Sequence, residues 1–302
     1  MNFKLVETIL IILLMILVGF ISKKVNVLSE EDVPTLNKIV VNIGMPCMIF
    51  VALLDLDLAT LPTLSILPFL CMGFSLITAF FVFIWCKIRK YSKKVTWSLL
   101  LASLMINTGF IGYPLILSVF GVQGLIRGVF FDLGSILMFI SIGLVLLFVF
   151  GGSYRVVLKK ALSFPAFWAL VLSLIFVYFK LSVPDLILNI LNYFAGLTVP
   201  LIMISLGLTL DFGAIKNYFL DASVVTFFRL ILVPFLGLFL ISWIGLEGLD
   251  RIVLIVDSAL PSGMLMLSYA ITYDLDFKRT AAAIFLSTIL CLVTLPMWIL
   301  IV

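Results

Sequence analysis

The chain reads as a succession of long apolar runs separated by short polar stretches. A helix needs ~20 mostly apolar residues to cross the ~30 Å hydrocarbon core of a bilayer. That length marks ten candidate spans, at about 5–22, 36–54, 63–86, 95–120, 124–150, 165–181, 185–210, 219–245, 249–272 and 279–302. None of the gaps could hold a soluble domain, so the expected fold is a single all-α integral membrane domain over residues 1–302. Composition agrees: 64% of residues are hydrophobic and 11% charged, whereas a soluble domain keeps roughly a quarter charged. The first run is followed by Lys23 and Lys24 with no small-residue cleavage site, which reads as a span with a basic stop rather than a signal peptide.

Orientation follows from the basic residues, which favour the cytoplasmic side. The loops after spans 1, 3, 5, 7 and 9 carry Lys23, Lys24, Lys87, Arg89, Lys90, Lys93, Lys94, Arg155, Lys159, Lys160, Lys216, Lys278 and Arg279, with Lys38 at the edge. The other face has Lys4, Arg127, Lys180 and Arg251. This asymmetry places both termini outside the cytoplasm of a cell-membrane protein. The halves also match: Pro46 in span 2 corresponds to Pro200 in span 7, and Pro114 in span 4 to Pro261 in span 9. A five-span unit is odd, so a second copy must run upside down. Residues 1–150 and 165–302 are therefore expected to form an inverted repeat, the plan of many secondary transporters.

Two spans are interrupted. Span 4 carries Asn107-Thr108-Gly109-Phe110-Ile111-Gly112-Tyr113-Pro114, and span 9 carries Asp257-Ser258-Ala259-Leu260-Pro261-Ser262-Gly263. Proline removes a backbone donor and glycine tolerates non-helical angles. In lipid the freed groups need protein, ion or water partners, so both segments are expected to unwind beside a cavity. Half-helix N-termini there would face an anion and spare carbonyls a cation. Pro46, Pro68, Pro234 and Pro296 are expected to be simple kinks. Asp132, Arg229 and Asp257 lie about ten residues or more from their span ends, ~15 Å deep at 1.5 Å per residue. Arg229 can pair with one aspartate. The other acid is then left over, and with Ser135 and the Asn107-Thr108 oxygens it suits a proton or a sodium ion. With no histidine and no metal or protease motif, an enzyme is not expected. The four scattered cysteines read as small hydrophobes, and no cofactor is implied.

At Asn107-Thr108, Gly112-Tyr113-Pro114-Leu115 and Ala259-Leu260-Pro261-Ser262-Gly263 the chain resembles the auxin efflux carrier family, which includes the plant PIN proteins and small prokaryotic members. Arg229-Leu230 with Pro234, and Ser205-Leu206-Gly207, add to the likeness. The resemblance covers nearly all ten spans. It implies a scaffold and a transport domain, spans 4 and 9 crossing at their prolines, elevator-type alternating access, and an organic-anion substrate, often a carboxylate. It places Asn107 at the substrate carboxylate, with Thr108, Gly109, Gly112, Pro114, Pro261, Ser262 and Gly263 around the substrate. A second asparagine of the plant carriers, near the start of span 6, is replaced here by Phe164-Pro165-Ala166, and their long cytoplasmic loop is reduced to residues 151–164. Those departures favour a small mono- or dicarboxylate over auxin. Asp132, Ser135, Asp257 and Arg229 remain the ion-coupling candidates. The expected partners are the substrate anion and the lipid bilayer, with no nucleic acid; a homodimer is compatible. Two other readings stay open: a sodium-coupled organic-anion symporter of the bile acid type, and a membrane sensor or structural protein.

Overall fold

A computed structural model describes residues 3–209 and 217–302; Lys216, counted above among the cytoplasmic bases, lies outside them. The described residues are almost entirely helical, with a single isolated β-bridge and no strand. Six helical stretches among them are long and apolar enough to cross a membrane: Glu30–Leu54, Leu58–Ile88, Thr108–Phe150, Asp185–Leu208, Phe219–Ile244 and Phe277–Ile301. The apolar runs at 5–22 and 165–181 correspond to the helices Phe3–Lys24 and Pro165–Tyr178. The run at 95–120 starts as the helix Lys93–Leu104 and then breaks. That at 249–272 is divided into Gly248–Ser258 and, beyond a non-helical gap, Met264–Met266 and Leu267–Thr272. Tyr113–Phe150 is interrupted at Gly121, whose φ of 68° is open to glycine at little cost.

Proline shapes three of these elements in one way. A wide helical turn with i→i+5 bonding covers Val40–Gly44, Thr108–Gly112 and Phe228–Leu232, and each ends one residue before the dipeptide Met45-Pro46, Tyr113-Pro114 or Val233-Pro234. A proline inside a helix frees the carbonyl four residues earlier and crowds it. Widening the turn relieves that clash without ending the helix. Pro68 sits instead in the first turn of Leu67–Ile88, where its missing N–H costs nothing, and Pro296 lies inside the continuous helix Phe277–Ile301.

The chain forms two compact units, each discontinuous in sequence. The first comprises Met1–Leu64, Gly109–Val129 and Phe164–Asp211. Its tightest packing joins Phe3–Lys24 to Asp185–Leu208 through glycines: a Cβ on Gly207 would overlap the Ile16 carbonyl oxygen and approach Phe20 N to 2.7 Å. Small residues allow this close backbone approach between helices, which lipid does not otherwise drive together. Ser205 Oγ also donates to Asn37 Oδ1 at 2.8 Å, and Phe50 meets Phe176 edge-on at 5.3 Å. Gly207→Ala should destabilise the protein by about 1–3 kcal/mol through overpacking. Gly196→Ala, on the same helix with nothing within 4 Å of the added carbon, should not. Thermal unfolding in detergent compares them, and equal midpoints would remove the glycine contact from the account.

The second unit comprises Ser65–Thr108, Phe130–Ser163 and Phe212–Val302. Here Gly134 lets the helix that carries Asp132 lie against Leu67–Ile88, since a Cβ at 134 would overlap the Pro68 carbonyl oxygen and stand 2.6 Å from Cys71 Cβ. At one end of this unit Asp221 gathers three partners: Trp85 Nε1 at 3.1 Å, Tyr91 O–H at 2.8 Å and the Arg279 guanidinium, whose Nε also donates to Asp276 at 3.1 Å. The Ser98 hydroxyl accepts from Asp276 N at 2.8 Å and Thr280 Oγ1 donates to the Ser98 carbonyl at 2.9 Å. These bonds fasten four helical segments into one body.

Candidate functional site

The site grows from two helix breaks in the second unit. Lys93–Leu104 ends with Met105 in an extended conformation (φ −129°, ψ 135°), and Gly248–Ser258 ends just before Leu260-Pro261. The freed backbone groups satisfy one another. Asn107 N donates to the Pro261 carbonyl at 2.8 Å, and Gly263 N donates to the Met105 carbonyl at 2.9 Å, on either side of an antiparallel bridge between Ile106 and Ser262. An unpaired backbone group at membrane depth costs several kcal/mol, so this mutual pairing is what permits both helices to open. Glycine is required on one side because a Cβ at 263 would stand 2.9 Å from Met105 Cγ and 3.1 Å from the Ile106 carbonyl oxygen. Ser262 N is held in turn by Ser287 Oγ at 3.2 Å. In span 4 the unwound stretch is residues 105–107, not Pro114, which lies in the first turn of the helix beginning at Tyr113.

Buried polar side chains surround this crossover. The Thr108 hydroxyl donates to Asp132 Oδ1 and lies 3.5 Å from Ser135 Oγ. Ser135 Oγ and Cys71 Sγ share a hydrogen bond of 3.3 Å. Asp257 is 1% exposed, and its Oδ2 has no hydrogen-bond partner. Thr108, Asp132, Ser135 and Cys71 are thereby joined in one run of buried polar contacts.

Arg229 is fully buried and makes no ion pair: no carboxylate lies within 4.0 Å of it among the described residues. Its Nη2 donates instead to the carbonyl of Ser103, in the last turn before the break, while Nε and Nη1 have no partner. A cation at that end complements the partial negative charge of the half-helix. The expected pairing of Arg229 with one aspartate is therefore replaced by a carbonyl contact. Arg229 sits in the widened turn Phe228–Leu232, and that turn also frees the Leu230 carbonyl, which Trp298 Nε1 takes up at 2.8 Å.

Of the residues singled out from the sequence, Asn107, Thr108, Asp132, Ser135, Arg229, Asp257, Pro261, Ser262 and Gly263 fall in this one unit, whereas Gly109, Gly112 and Pro114 belong to the other. The chain passes between the units at Thr108–Gly109. Two participants escaped the sequence reading. Cys71 looked like a small hydrophobe in an apolar run, and nothing in the sequence marks its bond to Ser135. Asp221 gave a fainter signal, as an acid at the edge of an apolar run near otherwise basic loops.

The chain matches the family described as membrane transport protein over residues 4–154 and again over 149–299. It belongs to that family. Similar proteins include an uncharacterized transporter of Methanothermobacter thermautotrophicus, 39% identical over 292 residues, with 97% of this chain and 96% of that protein covered. An uncharacterized transporter of Methanocaldococcus jannaschii is 37% identical over 303 residues, covering 97% of each. The uncharacterized transporter YfdV of Escherichia coli K12 is 26% identical over 305 residues, covering 95% of this chain and 94% of its own. This family membrane transport protein is thus a multi-pass transporter and not an enzyme, and its resemblance to auxin efflux carriers is a family relationship.

Proposed function

We propose that this transporter is a secondary carrier of a small organic anion, a mono- or dicarboxylate, driven by a proton or sodium gradient. The observation that carries the reading is the pairing of two unwound segments beside a buried acid that lacks a hydrogen-bond partner on Oδ2. Backbone breaks at membrane depth are tolerated only where protein buries them or a cavity needs them. An intramembrane acid is by default a functional group. In this reading Asn107, Thr108, Ser262 and Gly263 meet the substrate from the crossover, where Pro261 shapes the chain around it. Asp257 and Asp132 hold the coupling ion, with Ser135 beside them. The unit containing the crossover moves as a body in an elevator-type cycle, and the Asp221–Arg279 fastening supports such rigidity.

The same reading takes the chain as ten spans in a five-plus-five inverted repeat of 1–150 and 165–302. The family match in two stretches of similar length, 4–154 and 149–299, supports it. Reconstitution into proteoliposomes tests the function directly. A panel of labelled mono- and dicarboxylates is offered with an imposed proton gradient, an imposed sodium gradient or neither. Accumulation of a carboxylate under one gradient is the expected result; absence of carboxylate flux under all three conditions would refute it. Sodium dependence would favour the symporter of the bile acid type within the same scheme.

Topology is a separate expectation: cell-membrane location, residues 151–164 in the cytoplasm, residues 55–62 outside, and both termini outside. Ser153→Cys and Ala59→Cys, at exposed positions, are labelled with an impermeant thiol reagent on intact cells after replacement of Cys47, Cys71, Cys86 and Cys291. Labelling at 59 alone is expected, and labelling at 153 alone would invert the orientation.

A further inference from the structure

Two charges of the second unit are held in contrasting ways. Asp221 is met by the Arg279 guanidinium and receives hydrogen bonds from Trp85 and Tyr91. Arg229 is 0% exposed, and it is the one cationic side chain that is buried among the described residues. Its Nη2 donates to the Ser103 carbonyl, Nε and Nη1 have no partner, and no described carboxylate lies within 4.0 Å. Capping the end of Lys93–Leu104 would need only a neutral donor. A buried charge is costly unless an opposite charge meets it. The cap therefore accounts for one nitrogen of the guanidinium and leaves its charge unexplained.

The guanidinium is also fixed in place beside the crossover. Arg229 lies in the widened turn Phe228–Leu232, whose Leu230 carbonyl accepts from Trp298 Nε1 at 2.8 Å. Ser103 stands two residues before Met105, whose carbonyl accepts from Gly263 N at 2.9 Å. Two residues span at most ~7 Å, so the charge sits at the edge of the paired unwound segments.

We propose that Arg229 is the counter-charge of the transported anion, offering Nε and Nη1 to its carboxylate, and that the substrate carries a single carboxylate. This rests on the carboxylate reading above and adds the residue that answers the charge and the number of charges carried. Asn107 can supply hydrogen bonds to such a group but no charge. Arginine suits the task, because a guanidinium stays protonated when buried and its N–H groups match a carboxylate. A second carboxylate would find no second buried cation among the described residues, and would enter the site uncompensated.

Thermal unfolding of the detergent-purified transporter tests this at constant ionic strength, since a ligand that binds the folded state raises its midpoint. The probes are butyrate and benzoate with their neutral amides, and succinate with its monoamide and diamide. In the wild type the singly charged member of each series should bind most tightly. Arg229→Gln should lower the affinity for that member at least about tenfold and bring acid and amide to similar affinities. Arg229→Lys should keep the preference for the acid. If Arg229→Gln does not fold, Arg229→Met replaces it, with the same expectation. A glutamine or methionine variant that still prefers the acid as strongly as the wild type would overturn the proposal and leave the carboxylate reading standing. So would a wild type that binds an amide as tightly as its acid, or succinate more tightly than its monoamide. A wild type stabilised by none of the acids would overturn both.

Discussion

Asp257→Asn should abolish gradient-driven accumulation of substrate while leaving substrate exchange measurable. Asp257 lies in the last turn of Gly248–Ser258, is 1% exposed, and has Oδ2 without a hydrogen-bond partner. Placing a charged side chain at the centre of a bilayer costs ~2.5–3.5 kcal/mol on insertion scales. No ion pair within 4.0 Å offsets that cost among the described residues, since Arg229 turns to the Ser103 carbonyl instead. Charge on Asp257 is therefore tolerable only when a cation occupies the site, or is removed by a proton. Occupancy then biases the inward–outward equilibrium, provided the ion binds the two conformations unequally. Asparagine keeps the shape and removes the charge, so the equilibrium no longer responds to the gradient. Asp132→Asn should do less damage, because Thr108 can still donate to the amide oxygen that replaces Oδ1. Proteoliposome uptake under an imposed proton or sodium gradient, run on each variant, decides the matter. Should both variants still concentrate substrate against its gradient, the acids are structural.

Asn107→Ala should weaken substrate binding by ~1–3 kcal/mol, about fivefold to 150-fold, the range for losing a hydrogen bond to a charged group. The crossover separates the roles of this residue. Its backbone N–H is committed to the Pro261 carbonyl at 2.8 Å, which alanine would preserve. Its side chain, 3% exposed, leaves the main chain where the helix is open. The change should therefore move affinity and leave the fold intact. Binding is read from substrate-induced thermal stabilisation, with the unfolding midpoint of the substrate-free protein as the control. An unchanged affinity would make the Asn107 amide a packing group, and a large loss of substrate-free stability would point to the same conclusion.

Much of the architecture is legible from hydropathy alone. Lipid allows no unpaired backbone, so apolar runs of sufficient length must be helical. The interruptions were legible too, since Pro261 and the glycines around 109 and 263 stand out in runs that otherwise favour helix. Their detail was not. Proline marks a perturbed backbone but not its form, and Pro46, Pro114 and Pro234 each follow a widened turn whereas Pro261 lies in the break itself. The unwound residues of span 4 are 105–107, preceding the proline motif, because that is where a second broken chain can supply complementary N–H and C=O groups.

The charges show the same division. Sequence by itself determined that three ionisable groups, Asp132, Arg229 and Asp257, lie deep in apolar runs and must be compensated there, because the energy of a charge in lipid depends on its depth along the chain. It also determined the membrane class and the family motifs, both of which are properties of local composition and order. Only the tertiary structure decided the pairing. Arg229 turns to the Ser103 carbonyl rather than to an aspartate, Thr108 attends Asp132, and Cys71 joins Ser135. Those choices depend on which helices meet, and at what distance. Gly134 sets one such distance by admitting the helix of Asp132 against Cys71, a contact 63 residues away in the chain that no periodicity within either helix encodes.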